Sequence, residues 1–415
     1  MTTTDTDAAP AGSSDGLGDE DSAAEAALRA EVRAWMEEHA ARFGPAYRGA
    51  RMADNDEEVA ASRAWLAELD DGGWAVPTWP EAFGGRGFGT NENRIVKEEE
   101  HRFATPDNLS SVGLQMVAPT LMAHGSPEQQ AQFLDPMRRG EHIWCQLFSE
   151  PDAGSDLASL RTKAERDGDG WIVHGQKVWT SGAQYSDWAI LLARTEQGSF
   201  RHRGITYFLL DMKTPGIEVR PLVQINRAAH FNEVHLDGVR LPGDAVVGEV
   251  GEGWTVARTT LGSERAMIGS MNAVDRVNVL VERARKSGRT DEPVLRDQIV
   301  QAWILASVLG YTGDRVLTAV RRGGQVGPEA SVLKLAVSTL MARFGDLAMS
   351  ILGPEGLLEG LDASDERGYG PLQDMFLSQW SSRIGGGTEQ VQRNLIAERA
   401  LGLPRDPKPQ QNPPT

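Results

Sequence analysis

Residues 144–182 read WCQLFSEPDAGSDLASLRTKAERDGDGWIVHGQKVWTSG. The stretch holds a hydroxyl, Ser149, and a turn of mostly small polar residues, Glu150-Pro151-Asp152-Ala153-Gly154-Ser155-Asp156. Free backbone N–H groups in such a turn suit a pyrophosphate. Asp167-Gly168-Asp169-Gly170 is a hairpin signal, and residues 172–178 alternate as a half-buried strand does. The strand runs into Lys177-Val178-Trp179-Thr180-Ser181, where a Trp beside a Ser suits a flat ring with polar edges. The pattern is that of a β-domain holding a ligand.

Further short strand candidates follow at residues 188–193, 205–210, 217–219 and 233–236, which predicts a small barrel or sandwich over 141–252. On both sides the period changes to that of helices. Residues 24–43 place Leu28, Val32, Trp35 and Met36 on one face, and residues 57–69, 92–103 and 115–133 complete a helical domain over 23–140. Residues 254–286, 292–318, 329–351 and 388–401 predict a helical bundle over 253–403. Residues 1–22 read as a disordered acidic tail and 404–415 as a frayed Pro-rich one. The fold class is α+β: N-terminal helical domain, central β-barrel or sandwich, C-terminal helical bundle.

At 415 residues with 40% hydrophobic and 24% charged residues, the composition is that of a globular protein. The net charge of −17 argues against nucleic acid and anionic membranes as partners, although local arginines can still hold a phosphorylated ligand. A single cysteine, Cys145, excludes an intrachain disulfide, and the 8 histidines show no metal-ligand spacing. No run approaches the ~20 apolar residues of a membrane span. The N-terminus lacks a basic region followed by an apolar one, so a cytoplasmic protein is expected. Gly84-Gly85-Arg86-Gly87-Phe88-Gly89 has dinucleotide-like spacing but no apolar strand before it, so it reads as a structural loop.

Two more features carry chemistry. Leu261, Glu264, Ile268 and Met271 share one helix face, with Gly262, Ser263, Ala266, Gly269 and Ser270 around them. Burying an unpaired carboxylate is costly, so Glu264 is either half of an ion pair with Arg265 or Arg258, or a working base. Gly385-Gly386-Gly387-Thr388 precedes a helix whose free N–H groups can bind phosphate.

These motifs, with GWAVPTWPEAFGGRG, FNEVHLDGVRLP and GGTEQVQRNLIAERALGLPRD, resemble the acyl-CoA dehydrogenase family over about residues 25–405. The resemblance implies FAD-dependent α,β-dehydrogenation of an acyl-CoA to the trans-2-enoyl-CoA, in fatty acid or lipid metabolism. By position, Gln146, Leu147, Phe148 and Ser149 would line the flavin. Gly154 and Ser155 would lie near the pyrophosphate or the substrate's pantetheine arm. Trp179, Thr180 and Ser181 would cover the ring, and Thr388 and Gln390 would contact the rest of the FAD. Leu261, Arg265, Ile268 and Gly387, with Ser155, would bind substrate.

The sequence also departs from the family pattern. Gly386 stands where many members carry their catalytic Glu, and its N–H would instead polarise the thioester carbonyl. Leu261-Gly262-Ser263-Glu264-Arg265 resembles the motif of isovaleryl-type, long-chain-type and actinobacterial members, whose base lies on this helix, which makes Glu264 the implied base. The Arg and Phe-Gly that grip a neighbouring subunit's FAD are replaced by KSGRTDEPVLRDQI, with Arg289 and Arg296 as alternatives. Met349-Ser350-Ile351-Leu352-Gly353 lacks the usual glutamine. The resemblance further implies a homotetramer or homodimer and an electron-transfer flavoprotein as acceptor. Two alternatives stay open: an unusual or carrier-protein-bound acyl substrate, and a non-catalytic subunit of a heteromeric dehydrogenase. A flavin spectrum on the pure protein discriminates the last.

Overall fold

The computed structural model describes residues 21–43, 53, 55–199, 201–269, 273–321, 329–358 and 370–405. The expectations for the two tails therefore fall almost wholly outside the described residues.

Helix α1 (Ala23–His39) begins at a Ser22–Glu25 capping box and buries Val32 and Met36 completely. Helix α2 (Asp56–Asp71) starts at Asn55, whose side chain accepts the Glu58 N–H, and α3 (Thr90–Glu100) packs across α1. Arg29 and Arg33 of α1 both bond Glu99 of α3. The glycine-rich loop at 84–89 is structural: Arg86 stacks 3.6 Å from the Trp74 ring centroid and donates to the carbonyls of Gly72 and Gly73.

The helical region expected over 115–133 holds two helices, α4 (Ala118–His124) and α5 (Pro127–Arg138), after a π-helical turn at Gly113–Val117. The break has a local cause. Gly125 turns the chain extended, and Ser126 with Gln129 makes a fresh capping box.

The centre is a 7-stranded curled sheet: β1 (Trp144–Leu147), β2 (Lys163–Asp167), β3 (Gly170–Ser181), β4 (Trp188–Arg194), β5 (Ile205–Asp211), β6 (Ile217–Leu222) and β7 (Phe231–Leu241). Strand order is β1-β4-β2-β3-β7-β6, with β5 also on β4. The predicted hairpin is present: Asp167 pairs Gly170 across a turn in which Gly168 takes a φ of 62°. Cys145, Leu147, Val173, Leu191, Phe208 and Val234 fill one face of the sheet.

The C-terminal bundle comprises α6 (Gly253–Gly269), α7 (Ala273–Lys286), α8 (Pro293–Arg321), α9 (Glu329–Leu352), α10 (Pro371–Ile384) and α11 (Glu389–Leu395). The expected helix over 254–286 is described as two, and α10 is an addition to the expected set. Helix α11 is 7 residues long and continues into a π-helical turn at Ile396–Ala400. Within the bundle, Ser331–Leu357 is long and apolar enough to cross a membrane, and 56% of its apolar window is buried.

Helix α6 touches all three parts of the molecule. The Thr260 hydroxyl lies 3.1 Å from the Tyr207 hydroxyl of β5 and 2.9 Å from the Thr120 hydroxyl of α4, all fully buried. Thr120 in turn donates to the Met116 carbonyl in the π-helical turn. One residue earlier, Thr259 bonds His124 at 2.8 Å.

Candidate functional site

The first half of the site lies where the end of β1 meets β3. Lys177 is fully buried, and its ammonium donates to the Phe148 carbonyl at 3.0 Å and to Glu150 Oε1 at 2.8 Å. The Val178 N–H donates to the Ser149 carbonyl at 3.0 Å. The carboxylate of Glu150 also accepts the N–H groups of Arg161 and Thr162 at 2.6 and 2.9 Å. Burial pushes Lys177 down to about 8 against the pull of Glu150. Burial would raise Glu150, but the Lys177 charge and the donated hydrogen bonds outweigh it and hold the carboxyl below its ordinary value.

Immediately after Lys177 the pairing of β3 with β7 slips, and Trp179 takes a φ of 62°. A bulge of this kind re-aims a side chain. The Trp179 indole is 61% exposed, edge-on to Phe231. Thr180, next to it, is buried with a hydroxyl that finds no hydrogen-bond partner among the described residues. An exposed ring on a left-handed residue beside an unmatched hydroxyl fits a flat polar cofactor such as FAD.

The second half lies in the bundle. Glu264 is half-buried on α6, and Leu261 packs against the central core. Arg258 is exposed and offers no buried counter-charge. A buried cation that feels the charge of Glu264 lies on α9. Lys334, only 3% exposed, donates to Ser338 Oγ at 3.0 Å and to the Ser382 carbonyl at 2.5 Å. Burial lowers the Lys334 pKa, while the charges of Glu389 and Glu264 oppose that shift. Ser382 lies just before Gly385-Gly386-Gly387, where Gly386 and Gly387 have φ values of 65° and 91°. Lys334 thus bonds the last turn of α10, just before the triple-glycine loop, and feels the charge of Glu264.

The remaining expected residues fall as follows. Gln146, Ser149 and Ser181 are half-exposed around the β1–β3 junction, and Gly154 and Ser155 are exposed on the turn before β2. Leu147 and Phe148 point their side chains into cores, which leaves their backbone to face a ligand. Thr388 caps α11 by accepting the Val391 N–H at 3.2 Å, and Gln390 is exposed. The side chains of Arg265 and Ile268, and the whole of Met271, lie outside the described residues. Arg289 is engaged inside its own chain, donating to the carbonyls of Ser350 and Ile351 and pairing with Glu292, whereas Arg296 is exposed.

Lys177 and Lys334 were absent from the expected set. Lys177 shares the strand parity of Trp171 and Val173, the buried face, and Lys334 interrupts the apolar run Val332-Leu333-Lys334-Leu335-Ala336-Val337. Each is a cation placed where only an ordered partner makes burial tolerable.

Comparison with known proteins agrees with this architecture. Models of the N-terminal, middle and C-terminal acyl-CoA dehydrogenase domains match residues 22–141, 145–239 and 251–401. Acyl-CoA dehydrogenase IpdE1 of Mycobacterium tuberculosis is 40% identical over 391 residues, covering 92% of this chain and 98% of its own length. Among solved structures, the Tcur3481-Tcur3483 steroid ACAD superposes with a TM-score of 0.78 at 26% identity, covering 93% of this chain and 99% of that one. The ChsE4-ChsE5 complex from Mycobacterium tuberculosis does so with a TM-score of 0.75 at 27% identity, covering 93% and 99%. With the three domain models lying in order along one chain and a relative matched from end to end, this protein belongs to the acyl-CoA dehydrogenase family of flavin-dependent oxidoreductases.

Proposed function

We propose that this chain binds FAD at the β1–β3 junction and dehydrogenates an acyl-CoA thioester to the trans-2-enoyl-CoA, with Glu264 as the base. The observation that carries the reading is the β1–β3 junction, where the exposed Trp179 ring takes a left-handed conformation beside a buried Thr180 hydroxyl that is unmatched among the described residues. Glu264 takes the α-proton. The Gly386 N–H polarises the thioester carbonyl and stabilises its enolate-like charge. Bound FAD supplies the two-electron acceptor for the hydride leaving the β-carbon. Trp179 and Ser181 would contact that cofactor, Ser149 its ring edge, Gly154 and Ser155 the pyrophosphate or the substrate arm, and Thr388 and Gln390 its remainder.

The acyl group we favour is steroid-derived, on the likeness to the Tcur3481-Tcur3483 steroid ACAD. Domain limits of 23–140, 141–252 and 253–403 are proposed, with assembly as a homodimer or homotetramer and an electron-transfer flavoprotein as acceptor. Support for assembly is the face of α8 that leaves Val300, Trp303, Ile304, Val308 and Tyr311 in solvent. A second reading, a subunit that works only beside a different dehydrogenase chain, is favoured by the engagement of Arg289 within its own chain.

The test is stopped-flow flavin bleaching under anaerobic conditions with a panel of acyl-CoAs, steroid-derived ones included. Glu264→Gln is expected to retain FAD and to slow bleaching by about 10²–10⁴-fold, the usual worth of a positioned base. Near-parental rates in Glu264→Gln would overturn the assignment. Protein that stays colourless in excess FAD would favour the second reading.

A further inference from the structure

We propose that Lys177 and Glu150 are positioning residues for the flavin: their buried ion pair sets the spacing between Ser149 and Trp179. The inference rests on FAD binding at the β1–β3 junction. Ser149 stands between Phe148 and Glu150, and Lys177 grips both neighbours, the Phe148 carbonyl at 3.0 Å and the Glu150 carboxylate at 2.8 Å. The next residue, Val178, holds the carbonyl of Ser149 itself at 3.0 Å. Two successive residues of β3 therefore hold three successive residues beyond β1. Trp179 follows at once, on the bulge and in a left-handed conformation.

A clamp on one side of Ser149 alone would leave the turn free to pivot. The second carboxylate oxygen of Glu150 prevents this, because it accepts the Arg161 N–H at 2.6 Å and so fixes the turn to the entry of β2. Ser149 and Trp179 are in this way held by one rigid junction although they lie on different strands.

Fold stability alone does not account for such a pair. Removing two charges from water is expensive, and well-packed apolar residues of similar volume often serve stability as well or better. What an apolar pair lacks is direction. An ammonium with fixed acceptors and a carboxylate with fixed donors define the register of two strands to within hydrogen-bond tolerance. A ring sandwiched between strand ends needs that tolerance, since preorganised contacts lose their value when they loosen. The pair has no net charge, so its effect on the ligand acts through geometry.

Three variants separate positioning from folding: Lys177→Met/Glu150→Leu, which replaces both charges with apolar groups; Glu150→Asp, which keeps both charges but shortens the reach by one methylene; and Lys177→Met alone. FAD affinity is read by titrating deflavinated protein, the ring's environment by visible circular dichroism of the bound flavin, and folding by thermal melts without FAD. The double variant is expected to melt near the parental temperature without FAD, to bind FAD about tenfold or more weakly, and to give an altered flavin dichroism signal. Glu150→Asp should shift the same two flavin readouts in the same direction with its melt unchanged. Lys177→Met, which strands a buried carboxylate, should lose melting temperature as well. Parental FAD affinity and dichroism in Glu150→Asp would overturn the proposal, whether or not the double variant folds. If the parental protein itself takes up no FAD, the cofactor reading fails and the proposal with it, and that result is visible before any variant is made.

Discussion

Trp179 offers the cleanest test of a single side chain. A left-handed conformation at a bulky residue costs about 1–3 kcal/mol, and the indole lies mostly in solvent, so packing within the chain does not account for it. Trp179→Ala removes the ring and keeps the strain, whereas Trp179→Gly removes both. Each is expected to weaken FAD binding by about tenfold, the worth of a good aromatic contact. Without FAD, Trp179→Gly should melt at or above Trp179→Ala, since glycine adopts positive φ freely. Equal melting losses in both variants, with and without FAD, would mean that Trp179 is a packing residue after all. Single residues also differ in how legible they are. Glu264 stands out in the sequence because a carboxylate interrupts a face of Leu, Ile and small residues, and a family motif gives the interruption a meaning. Lys334 interrupts its helix just as plainly, but nothing local names its partner, the Ser382 carbonyl at the end of another helix. Lys177 keeps the parity of the buried face, but nothing local names its partners, the Phe148 carbonyl and Glu150.

Helix α6 is the element on which the proposed chemistry depends. Its Thr260 hydroxyl joins Tyr207 and Thr120 one turn before Glu264. Thr260→Val is nearly isosteric but leaves the buried Tyr207 hydroxyl without this partner. It is expected to destabilise by about 1–3 kcal/mol, and Thr260→Ser should recover most of that. Urea midpoints decide the matter, and equal midpoints for the Val and Ser variants would mean that the hydroxyl chain contributes nothing. The elements missed in the sequence have physical reasons of the same kind. The strand β1 is almost wholly buried and shows no alternation, while β2, Lys-Ala-Glu-Arg-Asp, is mostly polar and exposed. Helix α10 buries two amides, Gln373 and Gln379, and Gln373 donates to the Gly356 and Leu358 carbonyls, so its inward face does not read as apolar. The Gly125 break between α4 and α5 was legible in Ser126-Pro127-Glu128-Gln129, a helix start that a wide apolar pattern obscured.

Across the whole molecule, charge and assembly give two further expectations. Glu99 is buried between α1 and α3, and hydrogen bonds from Arg33 and then Arg29 hold its carboxyl below the ordinary 4.5. A carboxyl lowered in the folded state contributes stability that is complete above its unfolded value and is lost as pH falls through the folded one. Glu99→Gln should therefore lower the melting temperature most near neutral pH, and its deficit against the parent should shrink as pH falls below 4.5. A deficit that is constant from about pH 7 to about pH 3 would assign the effect to shape and not to charge. For assembly, Trp303→Glu with Ile304→Lys places opposite charges in the middle of the exposed α8 face. Light scattering after gel filtration is expected to show a smaller particle with unchanged helix content. An unchanged mass would move the proposed contact elsewhere.

The left-handed Gly386 limits what the loop can be made to do. A Glu introduced there would sit at a φ that costs an L-residue about 1–2 kcal/mol. A variant lacking Glu264 would have to meet that cost before a carboxylate at 386 could serve it. On the proposed reading, a second base built at 386 starts with a conformational handicap that Glu264, on its regular helix, does not carry.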